Sequence, residues 1–437
     1  MSKVSKLAPK SLMKQRKFLP LFITQFQGAF SDNLFRNALI VLVTFKLSAG
    51  SLPADPKILS SIAAALLVAP YIFFSSLAGK MADKFERSRL MRYTKIFEIF
   101  VMLFAAYGFY TNNIVLLLCL LFGAGLQATF FSPMKYSVLP THLRKDELIK
   151  GNGLIESGTF LAILTGNIAG NTLGGFVDVN SPMSSFIISG TLVFLSACGI
   201  VSAYFIPVAH AAEPKLKITP NLFKSSYLIV KSVMADKIVF RAIIFTSWFW
   251  LCGSVFLSLL PGYVKETLHT NDKLYTIFLT AFSIGIAIGA VACGKILNNR
   301  ITAKYTHLSL FGVALFTLTM VGLGSFAVAA PDGTLQNVSG FFSNWYAIPM
   351  LLSMVATTFC WGIYSVPLKT IIQHESKEAE RSRIIAGENI FNATFMVLAN
   401  IICGALIYSG FTIVMIFTTI GIINIFVGIM ALKIWKE

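Results

Sequence analysis

An all-α integral membrane protein, with twelve transmembrane helices in two halves of six, is the fold class that this sequence predicts. Three observations predict it. Hydrophobic residues fill 56% of the 437 positions and charged residues 13%, with a mean hydropathy of +0.74; a soluble globule of this length could not cover its surface with so few polar groups. The apolar residues are gathered in runs of about 20, long enough to cross a hydrocarbon core as helices, and they lack the regular alternation of barrel strands. Finally, the Lys and Arg of the short loops fall almost entirely on one side.

Taken in order, residues 1–17 are a basic tail carrying Lys3, Lys6, Lys10, Lys14, Arg16 and Lys17. Spans are expected at 18–46, 57–78, 91–110, 113–134, 150–173 and 183–206, then at 241–264, 273–296, 304–329, 346–370, 384–408 and 411–434. The first is too long and too polar in its middle for a cleaved signal peptide. Between the second and third, the loop is dense in Lys and Arg from Lys80 to Lys95. The connection 207–240, with Pro207, Pro214, Pro220 and several Lys, is the longest polar stretch and divides an N-terminal bundle, 18–206, from a C-terminal bundle, 241–437. The other side offers Lys57, Lys265 and Lys273, so the positive-inside rule places both termini and the linker in the cytosol. On that reading 329–345, with Pro331-Asp332-Gly333, is a periplasmic loop without a motif.

The same distribution explains the formal charge of +17. Basic groups beside span ends fix topology and face anionic headgroups, which argues against nucleic acid as a partner. Six cysteines lie inside apolar spans without paired spacing, and five histidines are scattered near loops, so neither a disulfide frame, a metal site nor a cofactor is expected. No Ser-His-Asp arrangement or phosphate loop points to an enzyme.

Two motifs repeat between the halves. Phe131-Ser132-Pro133-Met134-Lys135 is followed by Ile149-Lys150-Gly151-Asn152, and Ser365-Val366-Pro367-Leu368-Lys369 by Ile385-Ala386-Gly387-Glu388. Two parallel six-span halves around a cavity resemble secondary transporters of the major facilitator type, which rock one half against the other. The loop Gly79-Lys80-Met81-Ala82-Asp83-Lys84-Phe85-Glu86-Arg87-Ser88-Arg89 resembles the G-x-x-x-D-[RK]-x-x-x-[RK] signature of that family. The resemblance implies that Gly79 permits close helix approach, while Asp83 accepts from the start of the eleventh span and pairs with a basic residue, Arg87 or Arg89, latching the outward-facing state. The matching loop of the second half has Asn298 where the acid would sit, so a second latch should be weaker.

Ionisable residues within a membrane are functional candidates by default. The first span holds Gln25, Asp32, Asn33 and Arg36, with Asp32 and Arg36 one turn apart on one face, able to pair with each other or to meet a polar headgroup. Glu156 in the fifth span can bind substrate, gate the cytosolic end, or form a fixed pair with Lys135 or Arg36. Gly166, Gly170 and Gly174, and Gly285 and Gly289, have the four-residue spacing of close helix contacts. Trp248, Phe249 and Trp250 could line an apolar chamber or simply pack. One charged cluster, a few Asn and Gln, and abundant Phe suit an amphipathic substrate better than a sugar or peptide.

Gln25-Phe26-Gln27-Gly28-Ala29-Phe30-Ser31-Asp32-Asn33, the Phe131–Tyr136 run, Asn152-Gly153-Leu154-Ile155-Glu156 and Val366-Pro367-Leu368 are similar to the bacterial lysophospholipid transporter family. They also resemble the transporter domain of fusions with an acyltransferase and an acyl-carrier-protein synthetase. The resemblance implies a flippase of the inner membrane that carries lysophosphatidylethanolamine or similar lipids to the cytosolic leaflet, with Asp32 and Asn33 at the headgroup and Lys135 and Glu156 controlling the cytosolic side. Arg36 departs from the more apolar residue of standalone members. The chain ends shortly after the last span, so reacylation is expected from a separate acyltransferase. A different class remains open: a transporter of a siderophore, drug or other amphipathic solute coupled to protons or another ion, with Asp32 or Glu156 as the protonating carboxylate. A non-transporting membrane scaffold for lipid enzymes is the third reading.

Overall fold

The computed structural model describes residues 11–47, 55–178, 181–219, 221–328 and 334–435, except for the side chains of 56–58, 182 and 272. Lys3, Lys6 and Lys10 of the tail, Pro220, Pro331-Asp332-Gly333 and the side chain of Lys57 lie outside the described residues. Helices account for the apolar runs: α1 (Leu19–Val41), α2 (Pro56–Lys84), α3 (Arg87–Tyr110), α4 (Ile114–His142), α5 (Lys145–Gly175) and α6 (Phe186–Tyr204). A linker helix, α7 (Leu222–Ala235), precedes α8 (Lys237–Gly262), α9 (Asp272–Ile296) and α10 (Thr306–Gly324). A short α11 (Val338–Phe342) then leads to α12 (Ala347–Glu375), α13 (Arg381–Tyr408) and α14 (Ile413–Ile434). Among the described residues, twelve of these helices are long, and nine are apolar enough by length and composition to cross a membrane. The other three, α1, α3 and α5, carry the buried polar residues Gln25, Asp32, Lys95, Glu98, Asn152 and Glu156.

Several ends differ from expectation. The fourth span continues through Pro133 and Pro140 to His142, because a proline in a membrane helix loses one donor that neighbouring helices and side chains can compensate. Charged residues extend α2 to Lys84 and let α5 begin at Lys145, since helix geometry does not end where hydrocarbon does. The linker, expected as a polar connection, contains α7: Asn221 caps it by accepting from Lys224 N at 2.9 Å, and Asp236 caps α8 by accepting from Ile238 N and Val239 N.

The glycine spacings mark packing seams. A Cβ on Gly166 would lie 2.5 Å from Phe30 O, and one on Gly170 the same distance from Leu34 O, so α1 and α5 lie backbone to backbone. In the other half a Cβ on Gly285 would meet Val355 O at 2.7 Å, and Gly289 faces Phe359 O, bringing α9 against α12 in the same way. Small residues allow this approach, which replaces the hydrophobic drive that lipid does not supply. Between the halves, α2 packs on α13, α5 on α9 and α12, and α4 on α13. The apolar cores stay largely within each half, one around Leu34, Phe35 and Phe109, the other around Phe256, Trp361 and Phe417.

Candidate functional site

Nine helices from both halves, α1 to α5, α8, α9, α12 and α13, enclose a cavity of about 470 Å³. Gln25, Asp32, Asn33, Arg36, Lys135 and Glu156 all line it. It has two charged ends and an apolar wall. Where α1 passes its midpoint, Arg36 donates to Asn33 Oδ1 at 3.1 Å and to Asn167 Oδ1 at 3.4 Å, while Asn37 donates to the same Asn167 oxygen. Asp32 and Arg36 therefore do not form the ion pair that their spacing allows: Asn33 and Asn167 take the guanidinium, and Asp32 Oδ1 is buried with no hydrogen-bond partner. Gln25 is held from α5, where Thr159 Oγ1 donates to Gln25 Oε1 at 3.0 Å.

The second charged group sits nearer the face that bears Lys84, Arg89 and Arg241, the basic face. Lys369 of α12 pairs with Glu388 of α13 at 2.7 Å. Its Nζ also lies 3.7 Å from the centre of the Tyr136 ring, and Lys135 Nζ approaches the same ring at 4.4 Å. Among the described residues, Glu156 and Lys135 form no ion pair with each other, and Glu156 forms none with Arg36. The fixed pair, one of the alternatives open for Glu156, is thus absent among the described residues. Phe249 and Trp250 belong to the wall, with ring centres 5.4 Å apart, whereas Trp248 turns away to donate to Asn424 Oδ1 at 3.0 Å.

Lys369, Glu388 and Asn389 were not singled out as site residues from the sequence. The Pro-x-Lys repeat was the signal available: Lys135 and Lys369 occupy equivalent places in the two halves and meet on one tyrosine. A further group, Lys95 with Glu98 on α3, had no motif. Lys95 Nζ lies 2.6 Å from Glu98 Oε2 and 2.8 Å from Gln27 Oε1, and Gln27 Nε2 donates to Glu98 Oε1 at 2.8 Å. With both charges about 1% exposed, this closed network ties α1 to α3 at the cavity wall, where Lys95 is among the lining residues.

Towards the basic face the two bundles are in direct contact. Ser382 N and Arg383 N, at the start of α13, donate to the two Asp83 carboxylate oxygens at 3.1 and 3.2 Å, and Arg383 Nε adds an ion pair at 3.1 Å. Arg383 reaches on to Glu213 at 2.7 Å. A helix N-terminus presents unsatisfied N–H groups and a partial positive charge, so a carboxylate from the other half fits there. Arg87 lies within 3.6 Å of Asp83, while Arg89 is exposed and forms no ion pair with it; the basic partner from across the seam is Arg383. Gly79 permits the approach, since a Cβ there would sit 2.6 Å from Ala386 Cβ and 2.9 Å from Ser382 O. In the loop between α9 and α10, Asn298 and Asn299 adopt positive φ of 50° and 55° and make a turn. A second contact between the bundles lies elsewhere: Asn152 of α5 and Gln373 of α12 exchange hydrogen bonds at 2.6 and 3.0 Å, and Asn152 also donates to Thr370.

Two bundles of six long helices around a central cavity, joined towards one face by contacts between the bundles, define a secondary transporter. The chain belongs to the Major Facilitator Superfamily, whose family model matches residues 21–335. It is similar to the lysophospholipid transporter LplT of Serratia proteamaculans (strain 568), with 26% identity over 396 residues covering 90% of this chain and 89% of that one. The LplT of Escherichia fergusonii is 27% identical over 438 residues, covering 95% of each. Among solved structures, a bacterial homologue of the iron transporter ferroportin in an outward-facing state superposes with a TM-score of 0.68 at 13% identity, covering 97% of this chain and 99% of that one. FucP in the outward conformation gives 0.68 at 11% identity, covering 95% and 97%. These two likenesses establish the shared fold.

Proposed function

We propose that this protein moves lysophospholipids, lysophosphatidylethanolamine-like in headgroup, across a bacterial inner membrane by alternating access. The observation that carries this reading is a cavity that joins unpaired charge to an aromatic wall. Glu156 and Lys135 offer a carboxylate for an ammonium and an ammonium for a phosphate, Asp32 and Asn33 offer further polar contacts, and Phe249 and Trp250 face the apolar part of an amphiphile. The lysophospholipid transporters to which the chain is similar over most of its length support the same substrate class.

In this reading the bundles 18–206 and 241–437, joined by the linker 207–240, rock as units, with both termini cytosolic. The basic face is then the cytosolic one, and the Asp83 contact, aided by Gly79 and Arg87, makes this the outward-facing state. The product is consumed by an acyltransferase acting from the cytosol. Uptake of labelled lysophosphatidylethanolamine into spheroplasts, with and without the protein, tests the proposal. Uptake should require both the protein and Asp32, and a folded wild type that moves no lysophospholipid would overturn it.

One observation favours a second reading. A buried carboxylate oxygen without a partner, Asp32 Oδ1, is suited to taking a proton, as in a proton-coupled carrier of a siderophore or drug. Solute movement that follows an imposed pH gradient, with no lysophospholipid uptake, is the outcome that would select it.

A further inference from the structure

The linker helix α7 has three faces, and among the described residues only one of them is covered. Ser225, Ile229 and Val233 form the buried stripe. Lys80 Nζ of α2 donates to Ser225 Oγ at 2.8 Å, and Ser226 Oγ donates to Ser76 Oγ at 3.0 Å. On the α13 side, a Cβ on Gly387 would lie 2.7 Å from Val233. A second stripe, spaced i, i+4 and i+11, holds Phe223, Tyr227 and Met234, which are 79%, 65% and 54% exposed. The third carries Lys224 and Lys231, seven residues apart, exposed and without an ion pair among the described residues. A helix with an apolar ridge beside a lysine row has the pattern of one that lies in the membrane interface.

Its position in the bundle fits that pattern. A single residue, Asp236, separates α7 from Lys237, the first residue of α8, and its partners Ser76 and Lys80 lie in the last turns of α2. The helix therefore sits at the level where the spans leave the hydrocarbon, which is the headgroup layer.

We infer that α7 docks on the headgroup layer of the surrounding bilayer. The ridge Phe223, Tyr227 and Met234 enters the interface, and Lys224 and Lys231 engage the phosphates of anionic lipids. Charge complementarity selects this occupant: two unpaired lysines border the ridge, and Lys215, Lys217 and Arg241 extend the positive field around it. Because α7 packs on both α2 and α13, the helices that Asp83 joins, this lipid contact lies one helix away from the seam that must part when the basic face opens.

Hydrogen exchange of segment 222–235 tests the inference, using the intact protein in nanodiscs of phosphatidylcholine alone or with phosphatidylglycerol added. Exchange should be slower in the anionic discs, with each lysine contributing about fivefold, the effect of one basic residue near an anionic surface. Lys224→Glu with Lys231→Glu should remove the difference between compositions. Phe223→Ser with Tyr227→Ser should speed exchange in both, since the ridge acts whatever the lipid charge. Equal exchange of the wild type in the two compositions would overturn the proposal. So would a charge-reversed variant that kept the full difference, or protection that appeared only in discs holding two copies, which would assign the ridge to a second protein molecule.

Discussion

Asp32 and Lys95 are both buried charges, and their surroundings predict opposite results on removal. Asp32 Oδ1 has no partner, so Asp32→Ala deletes a desolvated group without orphaning another. Its melting temperature in detergent should be unchanged or higher while transport is lost. A fall in stability would show that Asp32 is structural. Lys95→Met leaves Glu98 and Gln27 facing each other without the ammonium that joins them. Breaking a buried pair from one side costs about 3 to 5 kcal/mol, so the expected result is a marked drop in folded yield. Restored yield in the double variant with Glu98→Gln would locate the penalty in the orphaned carboxylate. Such partners could not be read from the sequence, because Gln27 and Lys95 are 68 residues apart.

At the scale of the element, the glycine seams are where sequence and structure agree most directly. Spacing alone marked Gly166 and Gly170 as contact points, and carbonyl oxygens of α1 lie against both. Gly166→Leu should destabilise the N-terminal bundle by overpacking, by at least about 1 to 3 kcal/mol, measured as earlier thermal unfolding in detergent. A variant that melts like the wild type would mean that α1 can move aside. Helix ends were less legible. Proline and charge suggest termination to a reader of sequence, but α4 passes through Pro133 and α5 begins among charges, because packing rather than composition determines where these helices stop. The linker helix was missed because its apolar residues are divided between two stripes and interrupted by lysines.

At the scale of the molecule, the contacts between the bundles towards the basic face differ in chemistry: one is ionic at Asp83, one is formed by the amides of Asn152 and Gln373, and a third joins Ser132 to Asn389. Asp83 also accompanies the fully buried Arg87, so Arg383→Ala is the cleaner test of the seam, since it removes the partner from the other half alone. Arg383→Ala and Asn152→Ala should each increase labelling of a cysteine placed at Ala393, which lines the cavity, by a reagent applied from the basic face. The double variant should label most, as expected of separate contacts that restrain one opening. Labelling that stayed at the wild-type level would show that these contacts do not hold the cavity shut. Gly79→Leu, which forces a side chain between α2 and α13, should open the same face without altering any charge.

The sequence by itself determined the membrane class, the twelve long helices, the two-half repeat and the residues of α1 that face the cavity. Hydrophobic run length, loop charge and helical spacing are local properties, and the bilayer converts them directly into structure. Which charges stay unpaired was decided only by the tertiary structure. Spacing allowed Asp32 to pair with Arg36, and Glu156 with Lys135, yet Asn33 and Asn167 hold the guanidinium, and Lys369, from the other half, shares Tyr136 with Lys135. A pairing is a competition among all groups within reach, and while Asn33 is a neighbour on the same helix, Asn167 is 131 residues away and Lys369 comes from the other half, so their meeting depends on how the helices pack.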